Sequence, residues 1–532
     1  MRIINVQEAA ALIQNNWVVT TGGFGHCGAP EALLKAVEDR FTETGSPSNL
    51  TLFFASGPGD RGQRGVNRLA HPGLISRIIG GFWSLAPRIG EMAKSNEIEA
   101  HNWPQGVVSH MFRAIASGKP GVVTEVGLNT FIDPLQDGGR LNSRTATPMV
   151  ERLEVDGRPS LLYKALPIHC ALLRGTRADE AGNISMEREA NVQDVLAQAQ
   201  AVRNSGGIVI VQVQQVTKTG SLPLPSVCIP GFMVDYVVVA NVEDHWQTYG
   251  EKFNPTYCGE WQGYVSRADV QDLSDEPVDA KRIIARRALL ELMELATAHD
   301  RRRPLVVNLG IGTPEAVARE ARANGLLAAH LFTLTVESGA VGGIPAGGMS
   351  FGATAYPDAL LSQAALFDYY DGGGIDMAFL GFGQIDHHGR INVASLGGHL
   401  NGVGGFINIS QAAKRLVFCG TFTAGGLAVR TASGDGLEIL SEGRIRKMVP
   451  ELERICYDPA GRAACNLPLV ITERGVFRLT KAGLELIELA PGVDLRRDIQ
   501  LQSEIPIRIN DGLVPMPACV FSNQRLEYRV EC

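Results

Sequence analysis

Twice along this chain a short β-rich run breaks into glycines, reaches a proline followed by Glu-Ala, and continues with helical spacing. The first copy is Val18-Val19-Thr20-Thr21, the turn Gly22 to Pro30, and a helix pattern through Leu33, Leu34 and Val37. The second is Leu305-Val306-Val307-Asn308, the turn Leu309 to Pro314, and Glu315 to Arg319. A strand that ends in glycine and hands over to a helix through proline is a βα unit, because proline is pre-organised for the first helical turn. The same unit recurring half a chain apart predicts two related α/β halves. With 532 residues the chain is also too long for one ordinary core.

Further apolar runs extend the pattern. Gly207 to Val213 and Tyr236 to Ala240 in the first half are β-rich enough for a buried parallel sheet. Met377–Leu380, Arg415–Phe418 and Leu467–Ile471 fill that role in the second. The predicted fold class is therefore α/β: two related open α/β domains with mostly parallel sheets. The polar, aromatic stretch from Asp244 to Trp261 lacks periodicity, whereas Asp275-Glu276-Pro277 leads into a helix pattern over Ala280–Leu295. This predicts an N-terminal domain over 1–255, a linker over 256–279 and a C-terminal domain over 280–532.

A formal net charge of −7 gives no global basic balance for nucleic acid. The start of the chain has no long apolar segment before a small-residue cleavage site, and no run reaches the ~18 residues of a membrane span. Nine dispersed cysteines without a C-x-x-C pair read as reduced thiols, giving neither a disulfide frame nor a zinc site. These readings place the protein in the cytoplasm.

One carboxylate stands out. Leu331 to Val336 reads as a buried strand, and Glu337-Ser338-Gly339 follows it, with Gly342 and Gly343 close behind. A glutamate at a strand end among glycines is poorly hydrated yet open to substrate, which suits a nucleophile.

Five segments, in order, resemble the family I CoA-transferases. They are the G-G-F turn at 22–30, Asn102-Trp103-Pro104-Gln105-Gly106, Asn308 to Pro314, Glu337-Ser338-Gly339, and Gly402-Val403-Gly404-Gly405-Phe406. The resemblance covers nearly the whole chain, with the α-like and β-like subunits of that family fused. Asp179 to Ser185 and Phe131 to Pro134 are similar to the single-chain acetate/propionate/3-oxoacid branch. The motif reads V-E-S-G where the succinyl-CoA:3-oxoacid branch reads S-E-N-G, which counts against succinyl-CoA as donor.

The resemblance implies an acyl-CoA:carboxylate CoA-transferase acting on short-chain acyl-CoA, such as acetyl, propionyl, butyryl or acetoacetyl, and on a free acid such as acetate. It makes Glu337 the nucleophile that carries CoA as a glutamyl thioester. It makes Gly404 and Gly405 the backbone donors to the oxyanion, joined by Ile311 and Gly312. Coenzyme A, a substrate with no permanently bound cofactor beside it, is expected at Gly310, Ile311, Gly312, Thr313, Pro314, Gly402 and Val403. Gly23, Phe24, Gln105 and Gly106 are expected near the substrate, and the family's habit implies a homodimer or homotetramer. No metal is expected: His387-His388 reads as a turn, adjacent His26 and Cys27 cannot readily face each other, and Arg301 to Arg303 reads as a solvated charge run. Competing functions are an acyl-CoA hydrolase or acyl-carrier transferase on this scaffold, and a ligand sensor without chemistry.

Overall fold

The computed structural model describes residues 1–260, 273, 276–299, 303–432, 436–461 and 467–526. Most of the expected linker, with Trp261 and Asp275, lies outside those residues, as do Arg301, Arg302, Cys465 and Cys532. The chain divides into two compact units, and they are not the contiguous halves that the sequence suggests. The first comprises Met1–Trp261, Val336–Asp371 and Gly397–Asn408; the second comprises Gln262–Thr335, Gly372–Leu396 and Ile409–Cys532. Glu337 and the Gly402–Gly405 segment thus belong to the first unit.

The first unit is built on eight strands: β1 Arg2–Ile3, β2 Val18–Thr21, β3 Leu50–Ser56, β4 Ile75–Phe82, β5 Glu99–Asn102, β6 Cys170–Arg174, β7 Ile208–Val213 and β8 Tyr236–Val239. Their order is β1-β8-β7-β6-β2-β3-β4-β5, and every neighbouring pair is parallel. All seven residues of β3 are buried, five of them apolar, as a strand in a sheet covered on both faces requires. The chain runs outward from β2 to β5, then returns to the other side of β2 with β6. The β2/β6 boundary is therefore a topological switch point, the place in an open parallel sheet where a crevice forms beyond the strand ends. The 22–30 glycine turn lies there, leading from β2 into the helix Glu31–Thr44, with Pro30 as its cap.

In the second unit the strands are β9 Leu305–Leu309, β10 Phe332–Val336, β11 Met377–Gly381, β12 Arg415–Cys419, β13 Leu469–Ile471, β14 Gly475–Thr480, β15 Gly483–Leu489 and β16 Arg508–Pro515. The order β10-β9-β11-β12-β13 is parallel, and an antiparallel meander β13-β14-β15 continues it. Here the switch point falls between β9 and β11, and the 310–314 turn opens from it into the helix Glu315–Ala323. Both copies of the repeated unit thus hold the same topological position.

The helix Ala280–Ala298 is capped by the Asp279 side chain, which accepts the Arg282 N–H. Its three arginines are buried, and Arg282 and Arg286 both pair with Glu320, at 2.8 and 3.1 Å. Arg303, the described member of the 301–303 run, is exposed and pairs with Asp376 at 2.7 Å. Asp376 also accepts the Val306 N–H at the start of β9 (2.9 Å). Among the described residues no helix is long and apolar enough to cross a membrane, and the seven described cysteines are free thiols.

Beneath the first glycine turn, Arg174 at the end of β6 pairs with Glu189 at 2.9 Å, with His245 buried beside them. Burial and the Arg174 charge push His245 down to about 4, so it stays neutral in the native protein. Burial would raise Glu189, but Arg174 overrides it and holds the carboxyl at about 2. A histidine depressed on folding supports the native state above its unfolded value near 6.5, and that support drains as pH falls toward 4. Wild-type protein should therefore lose on the order of 3 kcal/mol more than His245→Gln between pH 7.5 and pH 4.5. Urea midpoints at the two pH values check this; equal losses would show that His245 is not held neutral.

Candidate active site

Strand β10 ends at Val336, and the next residue, Glu337, is half-buried in a turn. Gly339 makes that turn possible. Its φ is +113°, and a Cβ there would lie 1.9 Å from the Leu361 carbonyl oxygen. Gly339 N–H donates to Val336 O (2.9 Å), and Leu361 N–H donates to Gly339 O (2.8 Å). Ser338 is buried and donates its hydroxyl to Gly352 O at 2.8 Å. The backbone around the glutamate is thus fixed from both sides.

Gly352 and its neighbours lie against the first glycine turn. His26 N–H donates to Phe351 O (3.1 Å), the Cys27 thiol reaches the same oxygen at 3.5 Å, and the Phe24 and Phe351 rings are 5.9 Å apart. Phe24 is therefore a packing residue of this wall; Gly23 spends its N–H on the Gln193 side-chain oxygen. Phe24 likewise gives its N–H to Cys27 O at 3.0 Å. Burial pushes the Cys27 thiol far above its ordinary range, and His26 Nδ1 faces Gly59 O at 2.7 Å, away from Cys27. No Cys-His nucleophile is assembled.

The 402–405 segment is laid across the carboxyl ends of β4 and β5. Asn102, fully buried, donates its amide to Gly80 O (2.7 Å) and Gly81 O (2.6 Å) and accepts Val403 N–H at 3.0 Å. Gly404 N–H donates to Gly81 O at 3.0 Å, and Gly404 O accepts Gln105 N–H at 2.8 Å. Of the two donors expected here, Gly404 is therefore already engaged. Gly405 N–H has no partner among the described residues. Gln105 and Gly106 open the helix Gln105–Ala116 directly after β5, and Gly106 N–H donates to Asn408 Oδ1 at 3.2 Å. Gln105 Nε2 donates to Gln363 Oε1 at 3.0 Å.

Glu337, Gln105, Gly106 and the 402–405 segment all belong to the first unit. Gly310 to Pro314 lie in the second unit, at its own switch point. There Gly310 N–H donates to Phe379 O (2.8 Å), and the Glu315 carboxylate accepts Gly312 N–H (2.9 Å). Open space surrounds the position of a Gly312 Cβ. His387 and His388 sit in a turn closed by Asp386, which accepts the His388 and Arg390 N–H groups at 2.9 Å each. Asn102, Gln193, Gln363 and Asn408 organise the site, yet no local pattern singles them out; Asn102 alone lay inside a motif.

A strand-end glutamate and two glycine turns at the switch points of an α/β scaffold are equipment for carboxylate-based group transfer. The chain belongs to the Coenzyme A transferase family, whose model matches residues 3–240. It is 40% identical to acetate CoA-transferase YdiF of Escherichia coli K12 over 503 residues, covering 93% of this chain and 91% of that one. It is 38% identical to caffeate CoA-transferase of Acetobacterium woodii over 532 residues, covering 98% of each. The crystal structure of the acyl-CoA transferase YdiF from E. coli O157:H7 as a thioester complex with CoA superposes with a TM-score of 0.89. That match has 36% identity and covers 98% of this chain and 96% of that one. The protein is accordingly a single-chain CoA-transferase with coenzyme A as substrate.

Two substitutions separate the roles in this site. Cys27→Ala should retain most of the transfer activity, because a buried, protonated thiol does no chemistry. Gly339→Ala should lower both the unfolding temperature and the rate, because its Cβ cannot coexist with Leu361 O. Transfer assays with thermal melts check both; abolition by Cys27→Ala would contradict the assignment.

Proposed function

We propose that the protein moves CoA between a short-chain acyl-CoA and a free carboxylate such as acetate, by ping-pong chemistry through Glu337. The observation that carries this reading is the half-buried Glu337 carboxylate on a backbone turn fixed by Gly339 and Ser338. Acetate is favoured by the name of the YdiF relative, and V-E-S-G argues against succinyl-CoA.

A Glu337 oxygen attacks the acyl carbonyl, and the C–S bond breaks to give a glutamyl-acyl anhydride and CoA thiolate. The thiolate then attacks the glutamyl carbonyl, expelling the acid as its carboxylate and leaving CoA on Glu337 as a thioester. The acceptor carboxylate runs the two steps in reverse. Each tetrahedral oxyanion needs preorganised donors, and Gly405 N–H is one that the 402–405 segment leaves without a partner among the described residues. The 310–314 turn, opening a helix at a switch point, suits a CoA phosphate or pantetheine amide. Gly402 and Val403 support the Gly405 amide, and Gln105 and Gly106 border the acid-binding side. A cytoplasmic homodimer or homotetramer remains part of this reading.

Glu337→Gln should fold normally and lose transfer by several orders of magnitude, since an amide of the same shape is a very poor nucleophile. Wild-type enzyme given acyl-CoA alone should release a burst of acid stoichiometric with active sites. Continuous CoA release instead would make it a hydrolase, and silence would make it a sensor. Near-normal activity in Glu337→Gln, verified by mass against deamidation, would remove Glu337 from the mechanism.

A further inference from the structure

The two switch points are treated differently. In the second unit the glycine turn is open at Gly312, whereas in the first the corresponding crevice is filled by the chain's own Gln193. This side chain is buried, and its backbone is held at φ +58°, a left-handed conformation that L residues rarely adopt. Gln193 Oε1 accepts the Gly23 N–H at 2.5 Å, and its Nε2 occupies the space beside Gly28, where a Cβ would lie 1.8 Å away. An amide thus sits where the same turn in the other half is free to receive a ligand. Strain of this kind persists only where surrounding contacts over-determine it.

Those contacts lead toward the reacting groups. Gln193 O accepts the N–H of Gln363, first residue of the helix Gln363–Asp371, at 3.1 Å. The adjacent Asp194 carboxylate accepts Ala364 N–H (3.2 Å) and the Ser109 hydroxyl (2.7 Å), tying the start of the Gln363–Asp371 helix to the Gln105–Ala116 helix. Gln363 Oε1 then takes one Nε2 hydrogen of Gln105, while Gln105 N–H holds Gly404 O. Gln363 is also two residues from Leu361, which is bonded to Gly339 of the Glu337 turn. One buried glutamine therefore links the nucleophile's turn, the Gln105 amide and the plugged crevice.

We propose that Gln193 and Gln363 are positioning residues for CoA transfer: Gln193 plugs the first unit's switch point and, through Gln363, fixes the Gln105 amide beside the 402–405 segment. This rests on Gln105 facing the substrate, as in the function proposed above. Gln105 keeps its second Nε2 hydrogen for the carboxylate of the acid, and the relay decides where it points.

The test is a double-mutant cycle in the full-length enzyme, with kcat and KM for acyl-CoA and for acetate measured separately. Gln105→Met and Gln363→Met should each lower kcat by roughly 10- to 100-fold, the scale of a small misplacement at a reacting centre, with little change in KM for acyl-CoA. Because Gln363 acts through Gln105, the double variant should be no slower than Gln105→Met alone. Gln363→Glu, which keeps the acceptor oxygen, should recover much of the loss. Gln193→Gly, which suits φ +58° and empties the crevice, should fold and still lose kcat. Unchanged activity in Gln105→Met would remove the substrate-facing reading, and the relay with it. A slow Gln105→Met beside an unaffected Gln363→Met would overturn the relay alone. Multiplying losses in the double variant, or full activity in Gln193→Gly, would also overturn it.

Discussion

The site depends on one buried side chain, Asn102. Its amide spends both hydrogens on the Gly80 and Gly81 carbonyls near the end of β4 and its oxygen on the Val403 N–H. Three hydrogen bonds from one fully buried group are costly to break, because each partner would be left unsatisfied away from water. Asn102 thereby converts the carboxyl edge of an all-parallel sheet into a seat for a segment some 300 residues further along the chain. Gly404 completes that seat by giving its N–H to Gly81 and taking the N–H of Gln105. Once it is in place, the adjacent Gly405 amide and the first turn of the Gln105 helix have fixed positions.

The Glu337 turn is fixed by a different means. Its geometry comes from steric exclusion at Gly339 and from Ser338 bonded to Gly352, all within one short stretch of chain. The nucleophile is thus locally determined, whereas the oxyanion segment is determined at long range. This division fits the chemistry. A nucleophile must be presented identically to two successive substrates, and the donors must meet an oxyanion that exists only transiently. Both are placed before the substrate arrives.

The locally determined part was legible in the sequence. Runs of β-branched residues gave the strands at Ile208–Val213, Tyr236–Val239, Phe332–Val336 and Met377–Gly381 to within a residue or two, and the repeated glycine–proline unit located both switch points. The long-range part was not. Nothing in the periodicity of Val336–Asp371 or Gly397–Asn408 shows that these segments pack with the first half, so the expected domain boundary describes a sequence repeat and misses the interleaving of the units. Gln193 has no motif, because its importance lies in a positive φ and a distant glycine. Gly404 looked like a donor, since a glycine-rich string cannot reveal which amides the fold has already used.

Trapping the enzyme-bound intermediate tests the account most directly. Enzyme incubated with a short-chain acyl-CoA, without acceptor acid, is treated with borohydride or hydroxylamine and its peptides are weighed. A glutamyl thioester has an activated carbonyl, so borohydride should leave an alcohol and hydroxylamine a hydroxamate on the peptide containing Val336-Glu337-Ser338. Acetate added before the reagent should discharge the thioester and abolish both products. Modification at Cys27, or transfer that proceeds with no modified peptide at all, would contradict a mechanism in which Glu337 carries CoA.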